Sequence, residues 1–265
     1  MKTRIIVDST VDLLPEIKER VHIVPLTVHF GHEEYIDGVT IDHKTFYEKL
    51  IEGDALPTTS QATPDAFIKE LEKAKNCGEA TVIITLASKF SGTYQSATIA
   101  AADYENVYVV DSASAATGSG ILVELALRLL DEGKSVEEIA KTLEEEKKKI
   151  IIVALVDTLE YLKRGGRISK AVAFAGGMLN IKPVLSVIDG EINMLGKARG
   201  SKMGNNLLVQ EISKSGGIDF SKINTINFFR NIRNIHHKLI HTDSSNDRCP
   251  FSSNKYKSFI RKSRS

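Results

Sequence analysis

The stretch that decides the fold is Glu79–Tyr104, EATVIITLASKFSGTYQSATIAAADY. Its first part, Thr81-Val82-Ile83-Ile84-Thr85-Leu86, is a continuous β-branched and apolar run. A run without polar alternation reads as a strand covered on both faces. After Ser88 the chain turns, and from Ser91-Gly92 a helical pattern continues through Ala102. A doubly covered strand passing at once into a helix is half of a βαβ unit. Ser91 stands at the junction, where a serine can be a nucleophile, an anion-binding cap or an ordinary helix cap.

The same alternation extends outward. RIIVDST reads as a buried strand ending in a turn, and VHIVPLTVHF as a second strand whose proline places it at a sheet edge. DHKTFYEKLIEG spaces Phe46, Leu50 and Ile51 on one helix face, and Gly53 ends it. LPTTSQ reads as a loop. TPDAFIKELEKAKNCG is a helix with Thr63 as N-cap and proline at its first position. NVYVVDS is a strand, and GSGILVELALRLLDEG and SVEEIAKTLEEEKKK are helices.

A second block follows: a strand (IIIVALVD), a helix (TLEYLKRGG), an apolar helix (ISKAVAFAGGMLN), a hairpin around Asp189-Gly190 and a last helix (SKMGNNLLVQEISKSGG). The expected architecture is α/β: a parallel-sheet N-terminal domain over 1–148, a smaller α+β C-terminal domain over 149–221, and an atypical basic tail over 222–265. Ligands in such folds favour the carboxyl ends of parallel strands and the seams between domains.

Composition narrows the function classes. The 265 residues are 42% hydrophobic and 26% charged, with net charge +1, so overall charge names no partner. Cys77 and Cys249 are isolated, which argues against a disulfide framework or zinc site and fits a reducing cytosol. The apolar run of the N-terminus stops at Asp8, too short for a signal peptide, and Ile150–Val156 is a third of a membrane span. A cytoplasmic protein is expected, with no membrane span and at most a transient membrane contact. The tail departs from the rest. It carries ten Lys/Arg against two Asp/Glu, and no Gly, Ala, Val or Glu. Such a break fits a disordered tail or a shifted reading frame better than a basic arm for nucleic acid.

Several candidate chemistries fail on the residues. Asp8, Asp111 and Asp157 end three strands and could collect magnesium, but Asp-Ser and Asp-Thr pairs also close turns and cap helices. An aspartyl-phosphate enzyme needs a second Asp at the position of Thr10. Gly118-Ser119-Gly120 lacks the third glycine of a dinucleotide fingerprint, and no P-loop motif is present. Ser91 lacks the glycines of a nucleophile elbow, and His22, His29, His32 and His43 all precede it by far in sequence. A stand-alone hydrolase or phosphotransferase using Ser91 is the alternative reading. The favoured one is an anion at a helix start, where free amides, the helix dipole and a hydroxyl converge. Thr58, Thr59 and Ser60 add three hydroxyls before another helix. Tyr161–Ser169 (YLKRGGRIS) adds cations around a glycine pair, which is also the composition of an ordinary helix C-cap.

Together VDST, PTTSQATP, SGTYQSA, VVDS, EYLKRGGRIS, IKPVL and GKARG resemble, in order, the DegV family over about residues 1–215. The resemblance implies a two-domain fold with a long-chain fatty acid in an apolar tunnel between the domains. It implies a lipid-binding subunit, not an enzyme, that needs no cofactor and presents the acyl carboxylate to a separate ATP-dependent fatty acid kinase subunit. Nucleic acid is not an implied partner. Thr59 and Ser91 would hydrogen-bond the carboxylate. Arg167 and Arg199 would lie near the head group or face the kinase. Phe174, Ala175, Gly176, Gly177 and Met178 are tunnel candidates, or plain core. The family's C-terminal His-x-Gly-Pro-Gly loop, whose histidine completes the carboxylate site, has no counterpart here, since no glycine follows Gly217.

Overall fold

The computed structural model describes residues 2–53, 55–168 and 180–214. Its centre is a four-stranded parallel sheet of β1 (Thr3–Asp8), β2 (His22–Val24), β6 (Ala80–Thr85) and β7 (Val107–Asp111), in the order β2-β1-β6-β7. The expected α/β class and central parallel sheet are therefore found.

Strand side chains alternate faces, and both faces are apolar here. Ile6 and Ile83 point to one side, where Phe67 and Leu71 of α3 (Pro64–Asn76) and Ala97 and Ala100 of α4 (Thr93–Ala101) cover them. Ile5, Val7, Val82 and Ile84 point to the other, against Leu122, Val123 and Ala126 of α5 (Thr117–Asp131) and Ile139 and Leu143 of α6 (Val136–Glu146). Ser135 opens α6 with a complete capping box to Glu138.

Pro25 divides what reads in sequence as one strand. β2 stops at Val24 as the sheet's edge, and β3 (Thr27–Phe30) enters a separate antiparallel sheet. There it pairs with β4 (Glu33–Ile36) and β5 (Thr58–Ser60) in the order β4-β3-β5, packed on α2 (His43–Glu52) through Val28, Phe30, Ile41 and Phe46. The TTS segment is thus a short strand, not a loop. A turn of helix, α1 (Pro15–Lys18), and β4 also lack any signal strong enough to predict them.

The second block forms a three-stranded antiparallel sheet, β10-β9-β8, from β8 (Ile152–Leu155), β9 (Ile181–Ile188) and β10 (Glu191–Arg199). α7 (Glu160–Arg164) follows β8, and α8 (Gly200–Lys214) packs on the sheet. Asp189 and Gly190, at φ 50° and 70°, form the expected two-residue hairpin turn. The apolar segment with Phe174, Ala175, Gly176, Gly177 and Met178 lies outside the described residues, as does the tail from 215 onward.

Candidate functional site

The carboxyl ends of β1, β6 and β7 meet in a loop cluster, and acidic residues organise it. Asp8 is 1% exposed. Its Oδ1 accepts from the Thr10 amide at 2.9 Å and hydroxyl at 2.6 Å, closing a turn, while its Oδ2 accepts from the Leu86 amide at 2.7 Å. Burial pushes the Asp8 carboxyl up from its ordinary value, against the pull of these three donors. Asp111 accepts from the Ala113 amide at 2.8 Å and the Ser88 amide at 3.2 Å. The two carboxylates therefore anchor both ends of Leu86–Ser88, the segment leading to Ser91. Asp157, the third strand-end carboxylate, instead pairs with Lys182. Among the described residues no cluster of three or more His, Cys, Asp or Glu could hold a metal ion.

The small β4-β3-β5 sheet is tied to the same edge. The Ser9 hydroxyl donates to Asp37 at 2.7 Å and accepts from the Leu26 amide at 3.1 Å. This brings β5 beside the start of α4, where two segments lock together. The Gln61 amide nitrogen donates to Ser96 Oγ at 2.9 Å, and the Ala62 N–H donates to Thr93 Oγ1 at 3.3 Å. The contact needs a glycine: a Cβ on Gly92 would stand 1.9 Å from Gln61 Oε1. Thr59 shares a face of the small sheet with Val28, its cross-strand partner. His29 and Ser60 are on the other face, joined at 2.8 Å between Nε2 and Oγ.

Ser91 is half-buried next to this contact. Its Oγ accepts from the Thr93 amide at 3.3 Å and lies 2.9 Å from Thr93 Oγ1. Ser91 is thus a cap in geometry, and none of its hydrogen-bond partners among the described residues is an imidazole. The first amides of α4 have no carbonyl one turn earlier within the helix. Thr93 bonds Ser91, and Gln61 and Ser96 lock the TTS segment to α4; the sequence did not single out these three roles. The only signal was the glutamine that follows the three hydroxyls.

The second block reaches this cluster from the opposite side. The Gly190 N–H at the hairpin tip donates to Ala113 O at 2.7 Å, and Lys89 pairs with Glu191 at 2.7 Å. That ammonium holds the Glu191 carboxyl below its ordinary range. Gly165-Gly166 ends α7 as a Schellman cap: Gly166, at φ 72°, donates to Lys163 O at 3.1 Å, and Arg167 N to Leu162 O at 3.0 Å. The Arg167 side chain crosses to Phe90 O at 3.1 Å. Arg167 thus meets the loop that carries Ser91, while Thr59 is tied to it only through the residues that follow, Gln61 and Ala62, which bond to Ser96 and Thr93. Arg199 lies elsewhere: it ends β10, about 25 Å along the strand from Glu191 at the docked tip, at the usual rise per residue. The acyl-tunnel candidates fall outside the described residues.

With this geometry in place, the chain can be set beside known proteins. The family model described as "Uncharacterised protein, DegV family" matches residues 2–226. A DegV domain-containing protein of Caldanaerobacter subterraneus subsp. tengcongensis is 39% identical over 225 residues, covering 83% of this chain and 80% of the relative. The solved structure of a DegV family protein from Thermus thermophilus, described as fatty acid binding, superposes with TM-score 0.74 at 36% identity, over 81% of this chain and 78% of that one. A stearic-acid-binding protein from Eubacterium ventriosum superposes with TM-score 0.74 at 32% identity, over 81% and 76%. From central sheet to Ser-Gly-Thr-Tyr turn, this chain belongs to the DegV family.

Proposed function

We propose that the chain binds a long-chain fatty acid, its carboxylate at the Thr59–Ser91 mouth and its acyl chain in the seam between two domains, residues 1–148 and 149–221. The observation that carries this reading is the relay Ala62 N–H to Thr93 Oγ1 to Ser91 Oγ. Thr93 Oγ1 accepts from Ala62 and shares a proton with Ser91 Oγ, and either oxygen can be the donor. Ser91 Oγ also accepts the Thr93 amide, so in the arrangement where Thr93 Oγ1 donates, both Ser91 lone pairs are used and its own proton is available to a ligand. A hydroxyl donor at a helix start suits a carboxylate. The relatives from Thermus thermophilus and Eubacterium ventriosum are described as binding fatty acids, which supports the same class of ligand.

The energetics agree. At about 0.8 kcal/mol per methylene, a chain of about 16 carbons offers roughly 12 kcal/mol gross, before association costs. Each charge-assisted donor to the head adds about 1.5–3 kcal/mol. Chain burial sets affinity, and the polar head sets orientation. Phe174, Ala175, Gly176, Gly177 and Met178 are the proposed tunnel lining.

The chain then acts as the cytoplasmic lipid-presenting partner of an ATP-dependent kinase subunit, without chemistry of its own. The distant Arg199 is assigned to the kinase-facing surface. The test is binding of stearate and of octadecanol. Stearate should bind more tightly, and Ser91→Ala should abolish most of the difference. Equal affinities in the native chain would exclude a carboxylate site at Ser91.

A further inference from the structure

We infer that Arg167 is a positioning residue that holds Ser91 through the peptide before it. The inference rests on the carboxylate site proposed above. Arg167 Nε–H donates to Phe90 O at 3.1 Å, and its Nη1 bonds Gly165 O in its own cap. Two of the five guanidinium N–H donors are thereby bonded to main-chain carbonyls, one on each side of the seam.

Phe90 C=O belongs to the same planar peptide group as the Ser91 N–H. That N–H donates to Ala87 O at 3.3 Å, within the loop. The plane is therefore held at both ends, from inside the loop by Ala87 and from the second block by Arg167. The direction of the Ser91 side chain follows from the tilt of this plane. The Schellman cap fixes where Arg167 starts, since its own N–H is bonded to Leu162 O at 3.0 Å. The parallel ties from the hairpin tip, Gly190 to Ala113 and Glu191 to Lys89, dock the same block on neighbouring loops. Docking the second block and setting Ser91 are thus one event, and the RGGR segment transmits it.

The full chain and its Arg167→Ala, Arg167→Gln, Ser91→Ala and Arg167→Ala/Ser91→Ala variants test this. Two readouts are used: stearate and octadecanol affinities, and hydrogen exchange of the Ser91 amide in the ligand-free protein. Both Arg167 variants should speed Ser91 exchange. They should weaken stearate by about fivefold, the scale of an exposed charge-assisted hydrogen bond, and leave octadecanol unchanged. The double variant should bind stearate no more weakly than Ser91→Ala alone. The Arg167 effect should also persist between about 0.05 and 0.5 M salt. Additive losses that fade with salt, or unchanged Ser91 exchange, would overturn the inference in favour of direct charge contact. Should the native chain bind neither lipid, the proposed function fails, and the exchange readout still decides whether Arg167 holds the loop.

Discussion

A Gly92→Ala substitution should separate the two hydroxyl segments of the site without straining the backbone. Gly92 sits at φ −72° and ψ 4°, which any residue adopts, so only the added methyl matters. That Cβ would lie 1.9 Å from Gln61 Oε1 and 2.7 Å from its Cδ. The Gln61 side chain must swing away and give up its 2.9 Å bond to Ser96 Oγ, a group in a residue 1% exposed. A lost hydrogen bond with a buried partner left behind costs about 1–3 kcal/mol, and the stiffer unfolded chain returns about 0.4–1 kcal/mol. The net loss should be about 1–2 kcal/mol in urea denaturation. Stearate affinity should fall roughly three- to tenfold as Thr59 loses its fixed distance from Ser91. Gln61→Ala should absorb the effect, so that the double variant matches Gln61→Ala alone. Full additivity in that cycle, or unchanged stability and binding in Gly92→Ala, would refute the idea that Gln61 joins the two segments.

Other perturbations probe the same architecture. Ser91→Ala removes an acceptor for the Thr93 amide and should cost about 1 kcal/mol of stability, read by thermal denaturation. It should also weaken stearate by about tenfold while sparing octadecanol. Asp8 titrates above its ordinary value when folded, so its stabilising contribution is complete below the unfolded carboxylate value near 3.8 and is lost as pH rises through the folded value. The destabilisation by Asp8→Asn should therefore be larger at pH 4 than at pH 7. A difference that grows with pH would mean that the donors from Thr10 and Leu86 outweigh burial.

The central sheet was legible because both its faces announce themselves. Ile5 and Val7 alternate with Ile6, and Val82 and Ile84 with Ile83, and each set meets its own helix pair. The hairpin at Asp189-Gly190 was legible because that dipeptide suits two successive positive φ values. The TTS strand was not, since three residues are too few to show a period of two, and its partner β3 lies some 30 residues earlier. Ser91 and Thr59 could be singled out by their hydroxyls at helix approaches. The parts that orient them could not: Gln61 meets Gly92, and Asp8 meets the Leu86 amide, across long stretches of chain. Arg167 shows the limit most clearly. Its charge was legible, but its hydrogen bond to Phe90 O, on a distant stretch of chain, was not.

The central claim is fatty-acid binding by this chain, and native mass spectrometry of the purified full chain incubated with stearate tests it most directly. The account predicts one stearate per folded chain, displaced by other long-chain acids and not turned over. A folded chain that stays free of lipid at saturating stearate, or one that alone hydrolyses acyl esters or ATP, would contradict it.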